Sequence, residues 1–177
     1  MATTMKLIAK ATLTTTAASV SIQNIPATFT DLYVVFSGRS DYAGGSNGGV
    51  TDTVIRLNNS SSSIYSSRVL YGFTTTAGSY SSSSASSAIL GPIPSANSTA
   101  STFSSAEIYI PNYAGSTNKS MSSSNSRENN STFGDNRVVA SLWSSTAAID
   151  RVDVLADYPG GSLVSGTSIY VYGITKA

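Results

Sequence analysis

This sequence predicts an all-β fold: a single jelly-roll-like antiparallel β-sandwich of about ten strands, with little or no helix, over residues 1–177. Three observations predict it. Apolar residues recur with a period of two, the spacing that puts alternate side chains on one face of a strand. Leu, Glu, Lys and Gln are scarce, and no apolar stripe of 3.6-residue period runs for ten residues. Clusters of Gly, Asn and Ser separate the apolar runs, as turns do.

Residues 6–13 and 19–25 open the series of strands. Leu32, Val34 and Phe36 then alternate with Tyr33 and Val35, and residues 53–57 follow. Val69, Tyr71 and Phe73 make the next set, residues 87–93 another, and Ile108 and Ile110 flank Tyr109. Val138, Ala140 and Leu142 alternate with Val139, Ser141 and Trp143, with Trp143 expected in the core. Val152 and Val154 straddle Asp153, and Ile169 and Val171 alternate with Tyr170 and Tyr172. Each set marks a buried face. Residues 146–150 are expected to form at most one helical turn. Residues 42–50, 58–63, 77–87, 114–132 and 158–166 read as loops. Connections of this length favour a Greek-key or jelly-roll path over an up-and-down barrel. The serine run 81–84 is read as a long loop inside one domain, and residues 1–6 as an N-terminal arm or a frayed terminus.

Composition narrows the chemistry. Of 177 residues, 36 are Ser and 20 Thr, and there is neither His nor Cys. The chain therefore has no side chain that titrates near neutrality without perturbation, no thiolate nucleophile and no disulfide. Charged residues are 11% and the net charge is +1, without the basic stripe of a nucleic-acid binder. No apolar run approaches the ~20 residues of a membrane helix, and none has the length of a signal-peptide core. Neither nucleic acid nor membrane is an expected partner. At 40% hydrophobic residues, the chain has the material for one core.

Candidate catalytic groups each have a plainer reading. The acids Asp31, Asp41, Asp52, Glu107, Glu128, Asp135, Asp150, Asp153 and Asp157 would need two members facing one cleft to cleave a glycoside. The favoured reading is solvated or strand-end carboxylates, some facing Arg39, Arg56, Arg68, Arg137 or Arg151. Ser116 and Lys119 match Ser-x-x-Lys, but in a Gly/Ser/Asn loop without partner motifs, so Lys119 is read as a solvated loop lysine. The glycines around residues 44–49 lack the strand-loop-helix setting of a phosphate loop. Asp41, Asn47 and Asp52 offer oxygen ligands to calcium, though not at EF-hand spacing, and such residues in turns usually bond their own backbone. No metal or cofactor is expected. Tyr42, Tyr65, Tyr80, Tyr113 and Tyr158 fall in or near loops, where Tyr stacks on sugars or, the favoured reading, packs at a sandwich rim or subunit contact.

The hydroxyl surplus suits wet protein contacts. Ser and Thr carry little side-chain entropy, and burying them desolvates no charge. Several segments together carry a resemblance. They are Ile25-Pro26-Ala27-Thr28-Phe29-Thr30-Asp31-Leu32, then Ala106-Glu107-Ile108-Tyr109-Ile110-Pro111-Asn112-Tyr113-Ala114-Gly115-Ser116-Thr117-Asn118-Lys119-Ser120, and Arg127-Glu128-Asn129-Asn130. Ala140-Ser141-Leu142-Trp143-Ser144 and Tyr170-Val171-Tyr172-Gly173-Ile174 complete the set. In this succession the chain resembles small Ser/Thr-rich virion proteins of tailed bacteriophages, particularly those of aquatic bacteria and cyanobacteria. The resemblance implies a non-enzymatic β-sandwich on the outside of the particle, made in the host cytoplasm. It implies a capsid decoration or cement protein, a homotrimer bound to the major capsid protein through its loops and N-terminal arm. The alternative is a receptor- or glycan-binding module of a tail fibre or tail tip. Candidate contacts with protein or host glycan are Tyr42, Tyr80, Tyr113, Asn112 and Arg127.

Overall fold

A computed structural model describes residues 4–44, 49–130 and 133–175. Twelve strands follow in chain order. They are β1 (Met5–Thr12), β2 (Ser19–Ile22), β3 (Asp31–Ser37), β4 (Val50–Leu57), β5 (Tyr65–Phe73) and β6 (Thr76–Ala85), then β7 (Ala88–Pro94), β8 (Ser105–Ile110), β9 (Lys119–Arg127), β10 (Asp135–Trp143), β11 (Val152–Ala156) and β12 (Ser168–Ile174). All pair antiparallel, in two sheets. The large sheet has the order β1-β12-β3-β8-β9-β10-β5-β6 and the small one β2-β11-β4-β7. No helix occurs among the described residues. The all-β expectation holds, and one buried cluster drawn from both sheets makes the pair a sandwich. The eight-plus-four order does not identify a jelly roll. Of the arm expected at residues 1–6, Met1 to Thr3 lie outside the described residues, and Met5 and Lys6 pair with Ile174 and Gly173.

The two strands beyond the expected ten are β6 and β9, both read as serine-rich loops. In β9 the period of two is present but written in polar letters. Lys119, Met121, Ser123, Asn125 and Arg127 are buried, while Ser120, Ser122 and Ser126 are exposed. Hydropathy is blind to that alternation. In β6 every residue is exposed or half-buried, so no buried face marks it, and only its ladder to β5 makes it a strand. Residues 146–150 form no helical turn. The Asn58 side chain takes over their backbone, accepting from the Asp150 and Arg151 amides (2.9 and 3.2 Å) and donating to Ala148 O (2.7 Å). Tyr113 O accepts from the Ile149 amide. Asn58 itself has φ +53°, and among the described residues five of the eight non-glycine residues with positive φ are Asn, which tolerates the left-handed region well.

The core is divided. Under β3, β8 and β12 it is aliphatic, built from Leu32, Val34, Phe36, Ile108, Ile110, Ile169 and Val171, all at most 1% exposed. Each such side chain contributes about 1.5–3 kcal/mol on burial. Under β9, β10 and β5 the inward positions include Ser123, Asn125, Arg127, Asp135, Ser141 and Ser67, all buried. In β10 it is Val139, Ser141 and Trp143 that face in, and Val138 stands 59% exposed. Strand β7 lies over this polar half. Its Ile89 amide donates to Ser67 Oγ (3.1 Å), which in turn bonds Ser141 Oγ (2.8 Å).

At Gly91 the small sheet packs tightly against β9 of the large one. Gly91 has φ +133°, and a Cβ there would lie 2.9 Å from the Asn125 side chain. Strain and overlap act together, so Gly91→Ala is expected to destabilise by about 2–4 kcal/mol. Gly72 in β5 has open space around it, and Gly72→Ala is expected to stay within about 0.5 kcal/mol of the parent. Urea unfolding of both variants checks this pair.

Candidate functional site

The outer face of the large sheet is the most extensive surface that the fold constructs. Antiparallel register places Leu70, Val138, Ser124, Glu107, Val35, Tyr170 and Lys10 side by side across seven strands. Arg68, Ala140, Ser122, Tyr109, Tyr33, Tyr172 and Leu7 make the adjoining row. These rows hold three charged residues, and Glu107 accepts a hydrogen bond from the Tyr33 hydroxyl. The two most exposed large apolar side chains among the described residues, Leu70 at 64% and Val138 at 59%, are neighbours here. Tyr109 is also exposed and donates to Asp31 Oδ2 (2.8 Å). A groove of about 690 Å³ runs past Arg68, Leu70, Val138, Ala140 and the β6 residues Ser79, Tyr80 and Ser81.

Round the β6 rim, a second groove of about 290 Å³ is lined by Val50, Tyr71, Phe73, Tyr80, Asp135 and Arg137. Arg137 organises it. Its Nη1 lies 3.0 Å from Asp52 Oδ1 on the small sheet, and its Nη2 3.1 Å from Asp135 Oδ2 on its own strand. Nη1 also donates to the Tyr80 hydroxyl (2.9 Å), and the guanidinium stands 5.9 Å from the Tyr80 ring centroid. Burial works against the Arg137 charge, but Asp52 and Asp135 outweigh it and raise its pKa above the ordinary arginine value. At the end of β9, burial lowers the Arg127 pKa, with Asp135 opposing the shift.

No family model matches this chain, and no curated protein or solved structure does.

The expected contact residues are not gathered at one place. Tyr80 is 40% exposed on β6, where both grooves pass. Tyr42 is half-buried in a loop with its ring 4.6 Å from that of Tyr158. Asn112 is an exposed turn residue at φ +50°, donating to Thr117 Oγ1 and, through its backbone, to Asp31. Two expectations are corrected. Tyr113 is fully buried, with its hydroxyl donating to Pro26 O. Arg127 is 1% exposed and paired in register with Asp135. Each lies beside a turn signal, but its ring or guanidinium falls on the inward side of the local alternation.

Lys119 is also buried rather than solvated, donating from Nζ to the Gly115 and Thr117 carbonyls. Of the residues considered for calcium, Asn47 lies outside the described residues. Asp41 accepts from the Ser162 amide (2.7 Å), and Asp52 holds Arg137. Among the described residues, no group of three or more His, Cys, Asp or Glu is placed to hold a metal ion. Leu70 and Val138 are the functional candidates that sequence reasoning passed over. Both faces of β10 are apolar in sequence, so periodicity does not say which one is wet.

Five tyrosines have pKa values above the ordinary 10.0. Burial raises Tyr65, Tyr80 and Tyr113, and hydrogen bonds to Glu107 and Asp31 raise Tyr33 and Tyr109. The folded state favours the neutral phenol, so the unfolded chain ionises first. The stability these groups confer is present below pH 10.0 and is lost as pH rises above it. The fully buried Tyr65 and Tyr113 are expected to ionise only as the fold opens. Ultraviolet difference titration alongside circular dichroism checks this. All ten tyrosines ionising together with the fold intact would contradict it.

Proposed function

We propose that this protein is a non-enzymatic structural component of a bacteriophage virion, a decoration protein that binds the outer capsid surface and stabilises it. The resemblance in sequence suggests the setting, and the outer face of the large sheet supports the mode of action. Eight strands at about 4.8 Å spacing make a face roughly 34 Å wide, and over about 20 Å of strand this is about 700 Å². A standard protein interface needs about 800 Å² on each partner. The face offers exposed Tyr109 near its middle and exposed Val138 and Leu70 towards its β6 side, with hydroxyls between them and few charges to desolvate. Many copies acting on one shell would turn modest single contacts into lasting attachment.

The test is saturable binding of purified protein to expanded, undecorated capsids, with a raised capsid melting temperature. Leu70→Lys and Val138→Lys change only outward side chains. Each is expected to leave the fold intact and weaken binding about tenfold or more, since either buries an unpaired charge at the contact. Absence of binding by the parent protein, or density on the tail alone in cryo-electron microscopy of the virion, would refute the proposal.

A second reading has its own observation. The rim groove combines the aromatic rings of Tyr71, Phe73 and Tyr80 with the hydrogen-bonding groups of Asp135 and Arg137. Rings that stack on a sugar, beside carboxylate and guanidinium groups that bond its hydroxyls, suit the glycan-binding module of a tail fibre or tip. Glycan-array binding that Tyr80→Ala abolishes, with capsid binding absent, would favour this reading. An empty array removes it.

A further inference from the structure

We infer that β6 is a self-pairing edge, through which two copies of this chain join their large sheets about a two-fold axis. The two sheets have four open edges, and these differ in how they are protected. Edge strands expose a row of backbone donors and acceptors, and folds normally blunt them with charge, proline, bulges or brevity. Edge β1 carries Lys6 and Lys10 and a register shift between Leu7 and Ala9. Edge β7 carries Pro92 and Pro94, and edge β2 has four residues. Edge β6 has ten residues, with neither a charge nor a proline. Its register with β5 is regular from Thr76 to Ser82 and shifts only beyond that. Seven regularly paired residues, all exposed but the half-buried Gly78 and Ser82, are thus offered with no strand of the described residues on their far side.

A second copy presents three blunted edges and its own β6, so the pairing is β6 with β6, antiparallel and isologous. The strand is uncharged, so self-pairing sets no like charges opposite one another. Centred on its regular run, Ser79 faces Ser79 and Gly78 faces Tyr80 of the other copy. The pairing also makes the outer face continuous. Leu70 sits opposite Ser79, and Val138 opposite Leu70, so the axis brings two copies of this exposed apolar pair to either side of one seam. This arrangement is two-fold, in place of the trimer that the sequence resemblance implies, and it does not rest on capsid binding.

The absence of Cys makes the test direct, because a single introduced thiol has no partner but its own symmetry mate. Ser79→Cys is expected to form a disulfide-linked dimer under mild oxidation, at least tenfold faster than Ser122→Cys, which lies on the same face but far from the edge. Paired strands bring Cα atoms within the range that a disulfide spans. Light scattering of the unmodified protein should give a dimer at high concentration. Ser79→Lys, which sets like charges on the axis, should give a folded monomer by circular dichroism and light scattering. Equal cross-linking rates at the two positions would overturn the inference. So would a parent protein that is monomeric at every soluble concentration, or one that is trimeric.

Discussion

The fold depends on satisfying polar groups across the sandwich. Strands β9 and β10 turn serines, an asparagine and ionised side chains into the space between the sheets, where an unpaired polar group costs about 1–3 kcal/mol. Arg137 answers part of that demand, because it bonds the small sheet through Asp52 and its own strand through Asp135. Both sheets must be in register before it is satisfied. Breaking a buried ion pair typically costs about 3–5 kcal/mol, and here less, since Asp52 is 38% exposed and regains water. Neutral hydrogen bonds add to this link. Ser67 joins Ile89 to Ser141, and Ser98 joins Asn129 to Gly49. Asn125, whose amide has no hydrogen-bond partner, is fitted by shape instead, against a glycine.

The aliphatic half of the sandwich was legible in the sequence because its period of two is spelled in Val, Ile, Leu and Phe, as in β3 and β12. The polar half was not. Strand β9 also alternates, but apart from Met121 it does so between buried and exposed polar residues, and the information that sorts them lies on the opposing sheet. Residues 146–150 looked weakly helical because the local sequence does not contain Asn58, which satisfies that backbone from 90 residues away. The candidate site was legible only at Tyr80. Tyr113 and Arg127 were sited correctly along the chain and assigned to the wrong side of it. Val138 shows the reverse case, an apolar residue that a strand pattern takes as core until pairing reveals which face is covered, whereas Leu70 falls opposite the Val69, Tyr71 and Phe73 set and is exposed.

The serines therefore have two roles. On inward positions they donate and accept across the core, as Ser67 and Ser141 do. On outward positions, in Ser120, Ser122, Ser124 and Ser126, they give a surface of short side chains between the exposed Leu70 and Val138 on one side and the tyrosines of β3, β8 and β12 on the other. Such a surface loses little side-chain entropy on contact.

The order of the large sheet also bears on how the molecule is made. Strand β12 lies between β1 and β3, so the N-terminal strand has no neighbour within its sheet until residues 168–174 have left the ribosome. Every earlier stage of synthesis leaves β3 with one side open and β1 unpaired. Pairing at such sequence separation is slow and exposes strand edges while it waits. The two lysines of β1 place charge on the strand of the large sheet that waits until the end of the chain for its neighbour.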